Sequence, residues 1–330
     1  MKKIKYKKNV RNRKLFYKKL SRKISWEIDE CESKYIFYKF IKFIFLSLLI
    51  YFNSFCSNYS KKLLNYYYTK RVRFLRLSRR PYNESNIITI QDKLNWLSIH
   101  DVKKLKGKCA DKILIHEYSK RILKKDICNK ILKVYDDPDQ INIDELPDKF
   151  VLKTNHGSGF NIIVQNKSKL NVERAKMKLA AWLKFDFGAD GAQFHYSFIK
   201  RKAFAEEYIG KDLCNYKFLC FNGIPRYLYL SKRYGIKNYL TYFDMEWNRL
   251  DFHCVGPPHP TDIYPKPKNF ELMKKYATKL SRPFKFVRVD FYEYNNEVRL
   301  GEMTFTPTNC DVKCKNKEHN IELGKYLKIF

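Results

Sequence analysis

Glycine is scarce in this chain, 11 in 330 residues. None of the glycines falls into a G-x-x-x-x-G-K-[ST] or G-x-G-x-x-G pattern, which removes the P-loop and the dinucleotide-binding fingerprint. There is no G-x-S-x-G elbow to hold a hydrolase-type serine nucleophile. Acid is also short, with 34 Asp and Glu against 67 Lys and Arg and a formal net charge of +33. The nine cysteines are irregularly spaced and do not read as a disulfide framework in a chain of this length. Reduced thiols in a cytosolic enzyme are the expectation. Cys310 and Cys314, with His319 nearby, lack the second close pair that a zinc site needs. No internal repeat, heptad or Gly/Ser linker is present.

Long hydrophobic runs are missing too. The strongly apolar, uncharged stretch Phe43–Phe52 is about half the length that spans a bilayer. Acidic residues (Glu27, Asp29, Glu30, Glu32) precede it, which argues against a secretory signal. What surrounds it is basic: residues 1–80 hold 23 Lys and Arg against 4 Asp and Glu, or +19. Clusters at Lys61-Lys62 and Lys70–Arg80 suit an interfacial helix drawn to anionic lipid. The expected organisation is a basic N-terminal extension, residues 1–80, associated with a membrane surface, followed by a second region, residues 81–330. A true span and a helical cap are the alternatives for residues 35–55. A basic chain with 16% aromatic residues could also bind nucleic acid. The charge excess avoids the motif-bearing region, however, and no nucleic-acid motif occurs, so nucleic acid is not the expected partner.

The richest stretch is FVRVDFYEYNNEVRLGEMTFTP, Phe286 to Pro307. Two β-rich runs, Phe286–Tyr294 and Val298–Phe305, flank an Asn295-Asn296 turn signal. Side chains two apart on a strand share a face, so Arg288 and Asp290 point together, as do Glu302 and Thr304. A loop with an odd number of residues centred on Asn296 places Asp290 opposite Glu302. A two-residue turn would place them on opposite faces. Two carboxylates so placed repel, and one is expected to have a raised pKa until a cation arrives. Oxygen ligands there suit Mg²⁺, which usually comes with phosphates. The bland alternative is a solvent-facing hairpin edge.

Upstream, KFVLKTNHGSGFNIIVQNK (Lys149 to Lys167) reads as strand, glycine loop, strand. Lys153 ends the first apolar run just before His156, Gly157, Ser158 and Gly159. Such a loop can bring backbone N–H groups to phosphate oxygens while a nearby ammonium supplies charge. As an isolated motif it is more often a plain turn, and His156 more often a structural histidine. Between the two motifs, Ala203–Gly210 and Tyr216–Gly223 read as two further strands. Helical spacing of apolar residues occurs over Asp111–Lys125, Asn171–Phe185 and Asn269–Leu280. Helices alternating with strand-rich hairpins make the body α/β.

The order of these motifs resembles the ATP-grasp superfamily, and their wording resembles its TupA-like branch, associated with bacterial cell-surface polysaccharides. The resemblance rests on DKLNWL (Asp92 to Leu97), ADK (Ala110 to Lys112), LPDKFVLKTNHGSG (Leu146 to Gly159), YKFLCFNG (Tyr216 to Gly223), FVRVDFY and GEMTFTP. It implies an ATP-grasp fold of two α+β subdomains with ATP held between them. By resemblance, Lys112 and Lys153 are phosphate-binding lysines, and His156, Gly157, Ser158 and Gly159 belong to the loop that closes over the triphosphate. Glu206, Glu207, Tyr208 and Ile209 match the linker beside adenine. Asn215 stands where an acidic ribose contact is usual. Arg288 is the arginine facing the reacting phosphoryl, and Asp290 and Glu302 are Mg²⁺ carboxylates. Thr304 stands where the family has Asn as third ligand. The implied activity is an ATP- and Mg²⁺-dependent carboxylate–amine ligase, with a uronic-acid or polysaccharide carboxylate and an amine as co-substrates. The implied location is cytoplasmic, at the inner face of the membrane. A catalytically degenerate or glycosyltransferase-like polysaccharide protein is the alternative.

Overall fold

In the computed structural model, residues 87–330 are described apart from 191–192, 211–212, 235–236, 253, 257–262 and 313. The basic extension expected over residues 1–80 lies outside them. Among the described residues no helix is long and apolar enough to cross a membrane.

The described chain opens with three helices: α1 (Ile90–His100), α2 (Lys104–Ala110) and α3 (Ile115–Leu123). Strand β1 (Ile131–Tyr135) leads to the hairpin of β2 (Phe150–Thr154) and β3 (Asn161–Val164), then α4 (Val172–Lys184) and β4 (Ala203–Glu207). A second run holds β5 (Asn215–Phe221), β6 (Ile224–Tyr234), β7 (Lys237–Phe243) and the short β8 (Arg249–Leu250). Helix α5 (Phe270–Ser281), the hairpin β9 (Phe286–Tyr294) and β10 (Glu297–Thr304), and α6 (Lys317–Lys325) complete the order. The strands form two sheets, one of four in the order β1-β4-β2-β3 and one of six in the order β10-β9-β5-β6-β7-β8.

Local chemistry sets several helix ends. Thr89 and Asp92 form a reciprocal capping box on α1, and Asn171 caps α4 through the Arg174 N–H, contacts of about 1 kcal/mol each. The helix expected over Asp111–Lys125 is shorter, because the Asp111 carboxylate accepts from the Ile113 and Leu114 N–H groups and holds that segment in a turn.

Period-two alternation divides the six-stranded sheet cleanly. One face presents Tyr216, Phe218 and Cys220 of β5 with Val287, Val289 and Phe291 of β9, all buried against Phe270, Met273, Ala277 and Leu280 of α5. The opposite face changes character along its length. At one end Leu219, Phe221 and Phe286 pack with Ile90, Leu94 and Leu97 of α1 and Leu323 of α6. At the other end the same face carries Asn215, Lys217, Arg288, Asp290 and Tyr292, paired across β5 and β9. In the four-stranded sheet, Phe150, Leu152, Ala203 and Ala205 bury against Ala175 and Leu179 of α4. Its other face holds Val151 and Lys153 of β2 beside Phe204 and Glu206 of β4.

The expectation of reduced thiols throughout is corrected at one pair. Cys254 and Cys314 form a disulfide across an isolated antiparallel bridge. Sixty residues of sequence separate them, so no local motif announces the pairing. With Cys314 so engaged, the Cys310–Cys314–His319 set is not a zinc site. Among the described residues, Cys109, Cys128, Cys214, Cys220 and Cys310 take no part in a disulfide.

Candidate active site

The hairpin reaches the expected geometry by a different route. Its turn has two residues, Asn295 and Asn296, between the paired Tyr294 and Glu297. Both asparagines are left-handed, with φ of 51° and 60°, as a type I′ turn requires. The odd loop about Asn296 is therefore corrected. A regular ladder from this turn would set Asp290 opposite Gly301 and send Glu302 to the other face. A bulge between Leu300 and Glu302 absorbs Gly301 and pairs Glu302 with Asp290 and Thr304 with Arg288. A Cβ on Gly301 would lie 2.5 Å from the Tyr292 ring, so only glycine fits without moving that ring.

The charges on this face saturate one another. Arg288 clamps Asp290 with Nε to Oδ1 at 2.7 Å and Nη2 to Oδ2 at 2.7 Å. Its Nη2 also donates to Glu302 at 2.5 Å and to the Thr304 hydroxyl at 3.0 Å, and Nη1 to the Tyr229 hydroxyl at 3.2 Å. Lys217 reaches Asp290 Oδ2 at 2.5 Å. Asp290 is 1% exposed. The expectation that one of the two acids has a raised pKa is overturned at Glu302. Burial opposes its ionisation, but Arg288, then Lys217 and Lys112, outweigh burial and hold its carboxyl down to about 2. Protein cations already supply the charge that a metal was expected to bring.

Across from this face, Lys153 of β2 pairs with Glu206 of β4. The glycine loop follows, with Gly157 and Gly159 at φ of 81° and 75°. A Cβ on Gly157 would meet the Phe160 ring at 2.7 Å. Lys112 donates its ammonium to the Gly157 carbonyl at 2.6 Å. Burial lowers the pKa of Lys112, while Glu302 pulls the other way. His156 is buried, with Nε2 3.2 Å from the Phe185 carbonyl and its ring edge-on to Phe160. Burial pushes its pKa down to about 4.

One cavity joins the two sides. Lys112, Lys153, Ser158, Gly159, Glu206, Asn215 and Glu302, all expected at the site, line it. Arg288, Asp290 and Thr304 adjoin it through their contacts with Glu302 and its strand. His156 and Gly157 are buried and are not among the lining residues. Glu207 turns away, its carboxylate accepting from the Lys130 N–H at 2.8 Å, and the Tyr208 hydroxyl meets Gln165 at 3.1 Å. These two and Ile209 are not among the lining residues.

The family described as TupA-like ATPgrasp matches residues 92–328. The chain belongs to the TupA-like ATP-grasp family. Its fold is the ATP-grasp fold, built of helices and antiparallel sheets. Among solved structures, the D-alanine–D-alanine ligase of Helicobacter pylori is similar at 13% identity, with 67% of this chain and 59% of that chain covered and a TM-score of 0.39. The ATP complex of the Bacillus anthracis D-alanine–D-alanine ligase is similar at 16% identity, covering 60% and 55%, with a TM-score of 0.36. The ADP complex of the Staphylococcus aureus N5-carboxyaminoimidazole synthetase is similar at 14% identity, covering 59% and 44%, with a TM-score of 0.36. The match thus spans a little over half of each D-alanine–D-alanine ligase. No curated protein matches the chain.

Lys217, paired with Asp290 beside the cavity, is legible from alternation: it is the one charge in Tyr216–Phe221 and shares its face of β5 with Asn215. Ile115, His116, Cys128, Asn129, Tyr292 and Leu300 also line the cavity. Cys128 and Leu300 meet there in a parallel bridge, a long-range contact that no local pattern signals. His116 Nδ1 lies 2.8 Å from Asp126, which also accepts from the Cys128 N–H.

Proposed function

We propose that this protein is an ATP- and Mg²⁺-dependent carboxylate–amine ligase that works through an acyl phosphate in the synthesis or modification of cell-surface polysaccharide. The observation that carries the reading is the convergence of Lys112, Lys153, the Ser158-Gly159 backbone and Glu302 on one cavity, with Arg288 directly behind Glu302. Lys112 and Lys153 neutralise the triphosphate and the glycine loop closes over it. Arg288 faces the charge that develops as the γ-phosphoryl passes to a carboxylate oxygen. The amine then attacks the acyl carbon, a C–N bond forms, and phosphate leaves.

The donor set at Asp290, Glu302 and Thr304 is oxygen only, which fits Mg²⁺. Asp290 is taken up by Arg288 and Lys217, whereas Glu302 lines the cavity. Glu302 would therefore hold the ion first, with Thr304 beside it, and the rest of its shell would be water and phosphate oxygens. When bound, the ion supplies additional neutralisation of phosphate charge.

The test is ADP release by the full chain against a panel of uronic acids and other carboxylates, each paired with amino acids or amino sugars. Release that needs both partners is the expected outcome. ATP turnover indifferent to every carboxylate would sink the ligase reading. The proposed site of action is the inner face of the membrane, through residues 1–80. Full-length protein should sediment with anionic vesicles at low salt and release as salt rises, since the attraction is about 1 kcal/mol per basic residue and is screened. Equal recovery with neutral and anionic vesicles would remove the membrane from the proposal.

A further inference from the structure

Three side chains beside the cavity have a joint chemistry that no role above uses. His116 lies in the first turn of α3, and Asp126 and Cys128 lie on the segment between α3 and β1. One donor atom from each, an imidazole nitrogen, a carboxylate oxygen and the thiol sulfur, lies within 4.8 Å of the other two. His116 Nδ1 stands 2.8 Å from Asp126 Oδ2, and Cys128 is 7% exposed. His116 and Cys128 both line the cavity. An ordinary surface ion pair accounts for the histidine and the acid. It does not account for a buried thiol, outside any disulfide, as the third corner.

The fold holds these donors in place. Asp126 Oδ1 accepts from the Cys128 N–H at 3.0 Å, while its other oxygen meets His116. Cys128 is fixed by its bridge to Leu300, and the Leu300 N–H donates to the Ile127 carbonyl at 2.8 Å. The Ile127 N–H donates to Ser119 Oγ at 3.4 Å, which ties the segment back to the helix that carries His116. Outer contacts of this kind orient the ligands of a metal ion. Ligand atoms about 2.0–2.3 Å from one ion in a tetrahedral array lie about 3.3–3.6 Å apart, so small side-chain rotations suffice.

We infer that His116, Asp126 and Cys128 form a Zn²⁺ site, separate from the oxygen-only set at Glu302 and Thr304. A thiolate, an imidazole and a carboxylate suit zinc and disfavour Mg²⁺. Thiolate and carboxylate together balance the charge of the ion. On binding, the thiol proton leaves to solvent and the imidazole proton moves from Nδ1 to Nε2. The ion then takes the place between Nδ1 and Oδ2. Three protein ligands leave a fourth position for water or for a donor on a bound molecule. It is reached from the cavity that His116 and Cys128 line. None of this depends on which nucleotide or substrate the cavity takes.

The experiment is titration of the reduced full-length protein with Zn²⁺ alone, followed by X-ray absorption at the zinc edge of the one-equivalent complex. The bound ion should show one sulfur at about 2.3 Å and nitrogen or oxygen at about 2.0–2.2 Å. Excess Mg²⁺ should not displace it. His116→Gln and Cys128→Ser should each weaken binding by about a hundredfold or more, at least the loss seen when an outer contact is removed. Cys214→Ser, a thiol outside the group, should bind as the parent does. A parent that takes up no zinc overturns the assignment, as does a spectrum without sulfur or an ion that Mg²⁺ displaces. Parental affinity in His116→Gln overturns it as well, and that variant, at a partly exposed position, decides the matter if Cys128→Ser fails to fold.

Discussion

The two walls of the cavity hold their charges in opposite ways. On the six-stranded sheet, Arg288, Asp290, Lys217 and Glu302 form a closed network in which every charge has a partner on a neighbouring strand. On the four-stranded sheet, Lys153 and Glu206 make one diagonal pair, and the Lys112 ammonium reaches the Gly157 carbonyl of the glycine loop. Sheet register fixes the first wall. The second is less enclosed: the Lys153 side chain is 22% exposed, against 10% for Arg288, and its loop turns through two glycines at positive φ. The chemistry proposed for the protein needs both kinds of wall: one that holds its charges still at the reacting centre, and one that lets go of its own acid to take a phosphate.

The sharpest way to break the contrast is to remove the acid at the centre of the fixed wall. Asp290→Asn leaves Arg288 and Lys217 without their shared acceptor in a buried setting, and breaking such a pair costs about 3–5 kcal/mol. Denaturant unfolding should show that loss, and ATP-dependent ADP release should vanish. A variant of parental stability would mean that the network is an ornament of the apo arrangement rather than a constraint. Next in size is Gly301→Val. Its Cβ would fall 2.5 Å from the Tyr292 ring, and overpacking of this kind costs about 1–3 kcal/mol. If the bulge slips, Glu302 leaves Asp290, so loss of ADP release should exceed what the stability loss explains.

On the adjustable wall the balance should reverse. Lys153→Ala should weaken ATP binding at least tenfold, since a charge-assisted hydrogen bond is worth about 1.5–3 kcal/mol. The half-buried pair with Glu206 should contribute no more than about 1 kcal/mol to stability. Equal ATP affinity in variant and parent would take this lysine out of the site. A stability loss as large as that of Asp290→Asn would erase the distinction between the walls.

Which features were legible in the sequence follows from how local their causes are. Strand alternation marks the strands around Lys153 and Arg288, the Asn171 cap marks the helix that follows it, and apolar spacing marks the helix after Asn269. The register of the hairpin was harder, because it depends on an extra residue. Yet its trace is in the pattern: the apolar positions Val298 and Leu300 give way to Met303 and Phe305, a shift from even to odd that marks a bulge at Gly301. Lys217 could have been found from the same alternation. Asn129, Cys128 and the Cys254–Cys314 disulfide could not, since each owes its place to contacts between distant segments. The lowered pKa of Glu302 has the same kind of cause: besides Arg288 on the hairpin, Lys217 on the neighbouring strand and Lys112 across the cavity act on it.

The smallest expected effect separates the walls by pH. His156 lies behind the glycine loop and is held neutral by burial, its pKa falling from 6.5 to about 4. Between those values the unfolded chain binds a proton that the folded chain refuses, so stability is full above pH 6.5 and declines as pH falls toward 4. The decline is at most on the order of 3 kcal/mol. Glu302 is also depressed, from 4.5 to about 2, and the stability it contributes is present above pH 4.5 and lost as pH falls through 2. Acidification should therefore loosen the loop wall first and the network wall later. Unfolding measured at half-unit steps from pH 7 to 3 should show a slope above pH 4.5 that disappears in His156→Gln and survives in Glu302→Gln. If His156→Gln leaves that upper slope unchanged, the histidine is not the group that titrates, and the acid weakness of the loop wall has another source.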